Sequence, residues 1–245
     1  VTVSGTAAYN NSYEASSVQA FAAAGDPSLL RVAQVDYVKP EQMQSQEFGY
    51  RGKLSRTFTV DAAVYRNDFQ DFINTQVVLS PLYGEVGDGG LSVLAMANGD
   101  FETWSSYTNS PAEISSWGVS IGAQTKIFGN FDLSANYTKS KLEFEQSLYP
   151  DFRTNWNTPE HKIKAQFGNT QLFENFGFNV AWRYWSEYLW QASFGDGMVP
   201  ETHVIDAQFN LTVPKWKSVI KVGATNLGGE EYFTAFGSGF IGTQY

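Results

Sequence analysis

Cysteine is absent from the 245 residues, which excludes disulfides, thiolate metal sites and thiol catalysis. A cysteine-free chain is compatible with passage through an oxidising periplasm. No apolar run approaches the roughly 20 residues a spanning helix needs, so a helical membrane protein is excluded. Positive charge is scarce: 16 Lys and Arg stand against 25 Asp and Glu, a net charge of -9. That balance argues against nucleic acid or an anionic surface as partner. The only histidines are His161 and His203. No G-x-S-x-G, H-E-x-x-H, P-loop or G-x-G-x-x-G motif occurs.

What the chain has is alternation over stretches of about ten residues, longer than the five or six of an ordinary soluble strand. Ile205, Ala207, Phe209, Leu211 and Val213 alternate with Asp206, Gln208, Asn210 and Thr212. The same dyad starts at Val1, Phe48, Phe58, Trp117, Phe131, Ile163, Phe178 and Ile220. One face suits hydrocarbon and the other water, as in the wall of a transmembrane β-barrel. A polar average does not oppose this, because a barrel hides its apolar residues at every second position.

The connections repeat the signal. Short ones fall at residues 54–56, 127–130, 170–175 and 214–216. Long ones fall at residues 10–42, 70–112, 142–158, 189–201 and 228–239. Strict alternation of the two matches tight periplasmic turns and large extracellular loops. Phe58, Phe128, Phe131, Phe173, Phe176 and Trp216 gather near the short turns. They read equally as an interfacial belt and as packing at sheet ends. Residues 15–24 (ASSVQAFAAA) fit a short helix in the first long loop or a small-residue surface loop. The chain opens inside one strand and stops at Tyr245, a few residues into another, so a fragment of a larger protein is expected.

The phrases VKPEQMQSQEFGYRG (residues 38–52) and TFTVDAAVYRNDFQDFI (57–73) resemble the barrel of TonB-dependent outer-membrane transporters. The tail VGATNLGGEEYFTAFGSGFIGTQY (222–245) is similar to that family's penultimate strand, following loop and start of the last strand. NTPEHKIKAQF (157–167) and VIDAQFNL (204–211) fall where the family has similar strands. The overall flavour is that of Bacteroidetes members, the SusC-like branch included. The resemblance implies an all-β fold, an antiparallel transmembrane β-barrel. Residues 1–245 would be its C-terminal part, roughly ten of about 22 strands. It also implies outer-membrane lipid, an N-terminal plug domain and TonB as partners, with a surface lipoprotein as a further candidate. Location would be the outer membrane of a Gram-negative bacterium, and the function energy-coupled nutrient uptake without bond chemistry. The plug and the TonB-binding segment are not visible in these residues.

Site candidates follow from placement. Trp104, Arg153, Trp156, Arg183, Trp185 and Trp190 lie near long loops, where rings beside hydrogen-bonding groups suit sugars or peptides. Loop packing is the competing reading for Trp104, Trp156 and Trp190. Arg183, Trp185 and Glu187 share a polar face, whereas Tyr184 and Tyr188 are expected to anchor at the outer interface. Glu47, Arg51, Asp61, Lys162, Lys164, Asp206 and Lys221 face the lumen, as plug contacts or as plainly solvated groups. His203 and Asp206 project from opposite faces of one strand, which opposes a catalytic dyad. The glycine-rich residues 84–90 offer only Glu85 and Asp88, too few ligands for calcium. No catalytic residue, metal or cofactor is expected. Three rivals stand beside the transporter: a passive porin or structural outer-membrane protein, a soluble carbohydrate-binding β-sandwich, and a membrane-embedded hydrolase. The sandwich requires one face of each strand to pack on a second sheet.

Overall fold

The computed structural model describes residues 11–192 and 195–245. The strand expected over residues 1–9 lies outside them. In chain order the elements are β1 (Tyr13–Glu14), α1 (Ala15–Ala24), β2 (Gln42–Lys53), β3 (Thr59–Gln70), β4 (Ile73–Pro81) and α2 (Leu91–Asn98). Then come β5 (Phe101–Asn109), β6 (Ile114–Ile127), β7 (Phe131–Glu143), β8 (Phe152–Arg153), β9 (His161–Phe173) and β10 (Phe176–Trp185). The last four are β11 (Tyr188–Ala192), β12 (Gly195–Val199), β13 (Thr202–Val213) and β14 (Ser218–Ala224). The chain divides into two compact units. One holds residues 1–44, 68–115 and 143–155; the other holds 45–67, 116–142 and 156–245.

The main sheet has eight strands in the order β14-β13-β10-β9-β7-β6-β3-β2. Its strands therefore neighbour one another as they follow in sequence, an up-and-down wall. Those from β6 to β13 run 10 to 14 residues, enough for a tilted crossing of about 9–11. The antiparallel registers superpose the dyads. Leu133 faces Phe167 and Tyr137 faces Ile163, Phe167 faces Val180, Val180 faces Ala207, and Phe209 faces Val222. Slipping any pair by one residue would put polar or charged residues, such as Lys164, Asn179, Gln208 or Lys221, among these groups.

That apolar face is open along the sheet. Phe209 is 49% exposed, Ile121 49%, Leu211 44% and Val222 66%. A continuous apolar surface of this extent marks a membrane or protein contact, and in a barrel wall the face it belongs to is the lipid face. On the face itself Phe131 stacks on Phe167 at 5.4 Å, Phe167 meets Phe178 edge-on, and Phe176 stacks on Phe209. At the short turns Phe128, Phe173 and Trp216 are 88%, 68% and 68% exposed, which suits an interfacial belt, whereas Phe131 and Phe176 of the same set pack on neighbouring rings. The short β6–β7 turn, residues 128–130, holds Phe128 and Gly129 at positive φ, 47° and 89°, the left-handed backbone that tight hairpin turns use.

The long loops are not irregular. β4 and β5 pair from Ile73↔Asn109 to Pro81↔Phe101, so residues 70–112 hold a hairpin where a loop was expected. β1 and β8 join β4. α1 forms over residues 15–24 and closes on Gly25, φ 70°, whose N–H donates to the Phe21 carbonyl. Its other end is held from far along the chain: the Asp151 carboxylate accepts the Ser16 N–H and hydroxyl, both at 2.7 Å. Tyr13, Val18, Phe21, Leu79 and Met96 make a small core. Inside it the Tyr13 phenol and Ser92 hydroxyl share a 2.9 Å hydrogen bond. Residues 189–201 likewise hold the β11–β12 hairpin. Past β14 the chain turns back, with bridges at Tyr232↔Ile241 and Thr225↔Gln244.

Candidate functional site

The polar face of the wall sorts into groups that bind one another and groups left open. Arg51 donates to Asp61 at 2.7 Å. Arg183 donates to Asp206 through Nε (2.9 Å) and Nη2 (3.1 Å). Asp206 also accepts the Asn226 N–H at 3.0 Å. Asn226 has positive φ, 56°, and is 1% exposed. Its Nδ2 donates to the Glu230 carbonyl, and its own carbonyl accepts the Thr243 hydroxyl. Arg183, Asp206 and Asn226 thus form a clamp that fixes the last long loop to the wall. Glu47 and Lys221 line separate shallow hollows of about 500 Å³ each.

Lys162 and Lys164 are different. Both lie on β9, opposite Trp185 and Arg183 of β10 respectively. Neither forms an ion pair or side-chain hydrogen bond with any described residue. Two like charges two positions apart on one strand face, about 7 Å, repel by roughly 0.6–2.4 kcal/mol between aqueous and protein-surface dielectrics. Arg183 beside them is already neutralised by Asp206.

These lysines open onto a cavity of about 380 Å³, together with Arg183, Trp185, Trp190 and Tyr232. No Asp or Glu lines it. Trp185 meets Tyr232 edge-on at 5.4 Å. The Trp190 indole N–H is buried and has no acceptor among the described residues. Asn157, at positive φ (44°), holds the β11 backbone in place by exchanging two hydrogen bonds with Gln191, at 2.9 and 2.7 Å.

Of the sequence candidates, Arg183, Trp185 and Trp190 come together here, joined by Lys162 and Lys164 from the lumen set. Trp104 lies in β5 opposite Val78 and Arg153 in β8 opposite Thr75, both in the loop-built unit. Trp156 is partly buried just before β9, its carbonyl accepting the Thr158 hydroxyl. Tyr188 departs from expectation. It lines the cavity and donates to the Thr234 carbonyl at 2.7 Å, and burial pushes its phenol up. Tyr184 lines the same cavity, and its hydroxyl donates to the Glu201 carboxylate at 3.4 Å. Tyr232 carried no signal beyond its aromatic ring and Thr234 none, because the turn after β14 brings them in.

The histidines have local roles. His161 Nδ1 lies 2.8 Å from the Tyr137 hydroxyl, and His203 stacks on Trp182. Asp206 is on the opposite face, against Arg183. Asp88 accepts N–H groups of Gly90 and Glu85 and the Ser92 hydroxyl. No cluster of potential metal ligands occurs among the described residues.

Residues 2–227 match the family described as TonB dependent receptor-like, beta-barrel. Solved structures share the fold. The copper transporter OprC is 17% identical with a TM-score of 0.57, over 81% of this chain and 27% of its own. The FrpB iron transporter from Neisseria meningitidis (F3-3 variant) is 13% identical with a TM-score of 0.57, over 85% and 31%. The siderophore receptor PiuA from Acinetobacter baumannii is 17% identical with a TM-score of 0.56, over 89% and 28%. The chain therefore spans under a third of the length of these structures. A comparison with curated proteins gave no match. By its family match over nearly all residues and its wall of lipid-facing dyads, this chain belongs to the TonB-dependent receptor β-barrel family.

Proposed function

We propose that residues 1–245 are the C-terminal part of a TonB-dependent transporter that imports a nutrient across the outer membrane of a Gram-negative bacterium. The supporting observation is the cavity beside Lys162, Trp185 and Trp190, built where polar-face wall residues meet long loops. In this reading the nutrient binds there, on the extracellular side of the lumen. Energy delivered through TonB to an N-terminal plug domain then opens the path. The chain supplies wall, vestibule and plug contacts and makes no bonds in the substrate. Glu47 and Lys221 are the wall charges left for the plug, since Arg51, Asp61 and Asp206 have partners in the wall. A Bacteroidetes, SusC-like member with a surface lipoprotein is the finer form of the proposal, supported by the phrases at residues 38–52 and 222–245.

The test is uptake by cells carrying the full-length gene, with and without a functional TonB. Accumulation of the nutrient that stops when TonB is removed supports the reading. Purified full-length protein that conducts small solutes passively in planar bilayers, with uptake indifferent to TonB, would establish the porin instead.

A further inference from the structure

We propose that Lys162 and Lys164 form an anion subsite, so that the ligand of this cavity carries a carboxylate or phosphate beside a flat face. The inference rests on the uptake reading only for placing the cavity on the outer side of the lumen. In a chain of net charge -9, two cations stand side by side with no counter-ion among the described residues. The cavity they face has no carboxylate in its lining. The guanidinium that shares this face is held by Asp206, which leaves the ammonium groups as the only uncompensated charge there. An oxyanion bound between them removes their mutual repulsion and makes charge-assisted hydrogen bonds.

The rest of the cavity selects what the anion is attached to. Trp185 is the register partner of Lys162, and its ring meets Tyr232. A sugar or aromatic face therefore lies within reach of the charge. The site thus asks for an anionic head and a planar body.

The experiment uses the full-length protein in detergent and tryptophan fluorescence quenching by 4-nitrophenyl phosphate, 4-nitrobenzoate and the neutral 4-nitrophenyl glucoside. Saturable quenching by either anion, at concentrations where the glucoside gives little, is expected. The ranking of the two anions says which oxyanion fits. K162Q/K164Q should weaken anion binding at least about 30-fold and leave the glucoside unchanged. K162R/K164R should keep anion binding within a few-fold, and W185F should weaken all three probes. Circular dichroism confirms that each variant keeps its β-structure. Equal quenching by glucoside and anions overturns the inference, as does wild-type anion binding in K162Q/K164Q. A loss that the arginine pair fails to rescue also overturns it, because the lysines would then be scaffolding. Binding in detergent needs no TonB, so anion binding in a protein that conducts passively would sink the uptake reading and leave this one standing.

Discussion

Replacing Asp206 by alanine should free the last long loop from the wall. The carboxylate receives two guanidinium bonds and the Asn226 N–H. Its side chain is 21% exposed and that of Arg183 is 35%, so the ion pair itself is screened and contributes about 1 kcal/mol. The Asn226 N–H is another matter: the residue is 1% exposed, and orphaning a buried donor costs about 1–3 kcal/mol. Together the loop should lose roughly 2–4 kcal/mol of protection against local opening, a factor of about 30 to 1000. Limited proteolysis in detergent reads this directly, as cleavage within residues 226–243. D206N keeps one acceptor for Asn226 and should fall between wild type and D206A. A double-mutant cycle with R183M should return a coupling energy near the ion-pair share alone. Cleavage of D206A at the wild-type rate would refute the clamp. So would a coupling that accounts for the whole loss, since that would leave Asn226 no part in it.

The alternation itself is testable at neighbouring positions: F209R should cost about 2–4 kcal/mol near the midplane, and Q208R next to nothing, measured as folding free energy into bilayers. D151A should remove the long-range cap of α1 and about 0.5–2 kcal/mol, seen as faster hydrogen exchange at Ser16 and its neighbours. Glu14 is raised by burial first and by Asp151 second, against the pull of Arg31. The folded loop unit therefore binds that proton more tightly than the unfolded chain. Its stability should fall as pH rises from the ordinary glutamate value, about 4.3, through the raised one. E14Q should flatten that fall and protect the loop unit at neutral pH; an unchanged proteolysis profile between pH 4 and 7 in E14Q would contradict it. G118V should drive Tyr65 off the wall, because a Cβ at Gly118 would meet its ring at 2.5 Å and the Lys139 carbonyl at 2.6 Å. The Tyr65–Ser140 hydrogen bond should be lost, seen as a drop in the thermal midpoint.

The wall was legible because lipid on one side and water on the other constrain every residue of every strand. Phe209 and Gln208 could not exchange roles without a slip of the whole register. The loop unit has no such constraint. β4 buries Val78 with Ala33 and Val35 and Leu79 with Tyr13 and Met96, so both of its faces are used and the dyad vanishes. Its partners lie dozens of residues away, and only contact reveals them. The candidate site was half legible for the same reason. Lys162, Lys164, Arg183 and Trp185 follow from strand parity, while Tyr184 and Tyr188 line the cavity against it, and Tyr232 arrived by a turn hinged on Asn226.

A strand that must present apolar groups to lipid has only alternate residues free for other work, and those cross the lumen at fixed spacing. Such residues can set a charge but cannot enclose a ligand. Enclosure needs side chains approaching from other directions, which only chain leaving the membrane can supply. The cavity has this composition: Lys162, Lys164 and Trp185 come from the wall, Trp190 from the β11 hairpin and Tyr232 from the clamped loop. Shape selectivity should then reside in residues 186–201 and 226–243, and charge selectivity in β9. Exchanging the β11–β12 hairpin for that of another family member should change which planar body is accepted, measured with the nitrophenyl probes, while the preference for an anion persists. Loss of the anion preference in that chimaera would mean that the loops, and not the two lysines, carry the charge recognition.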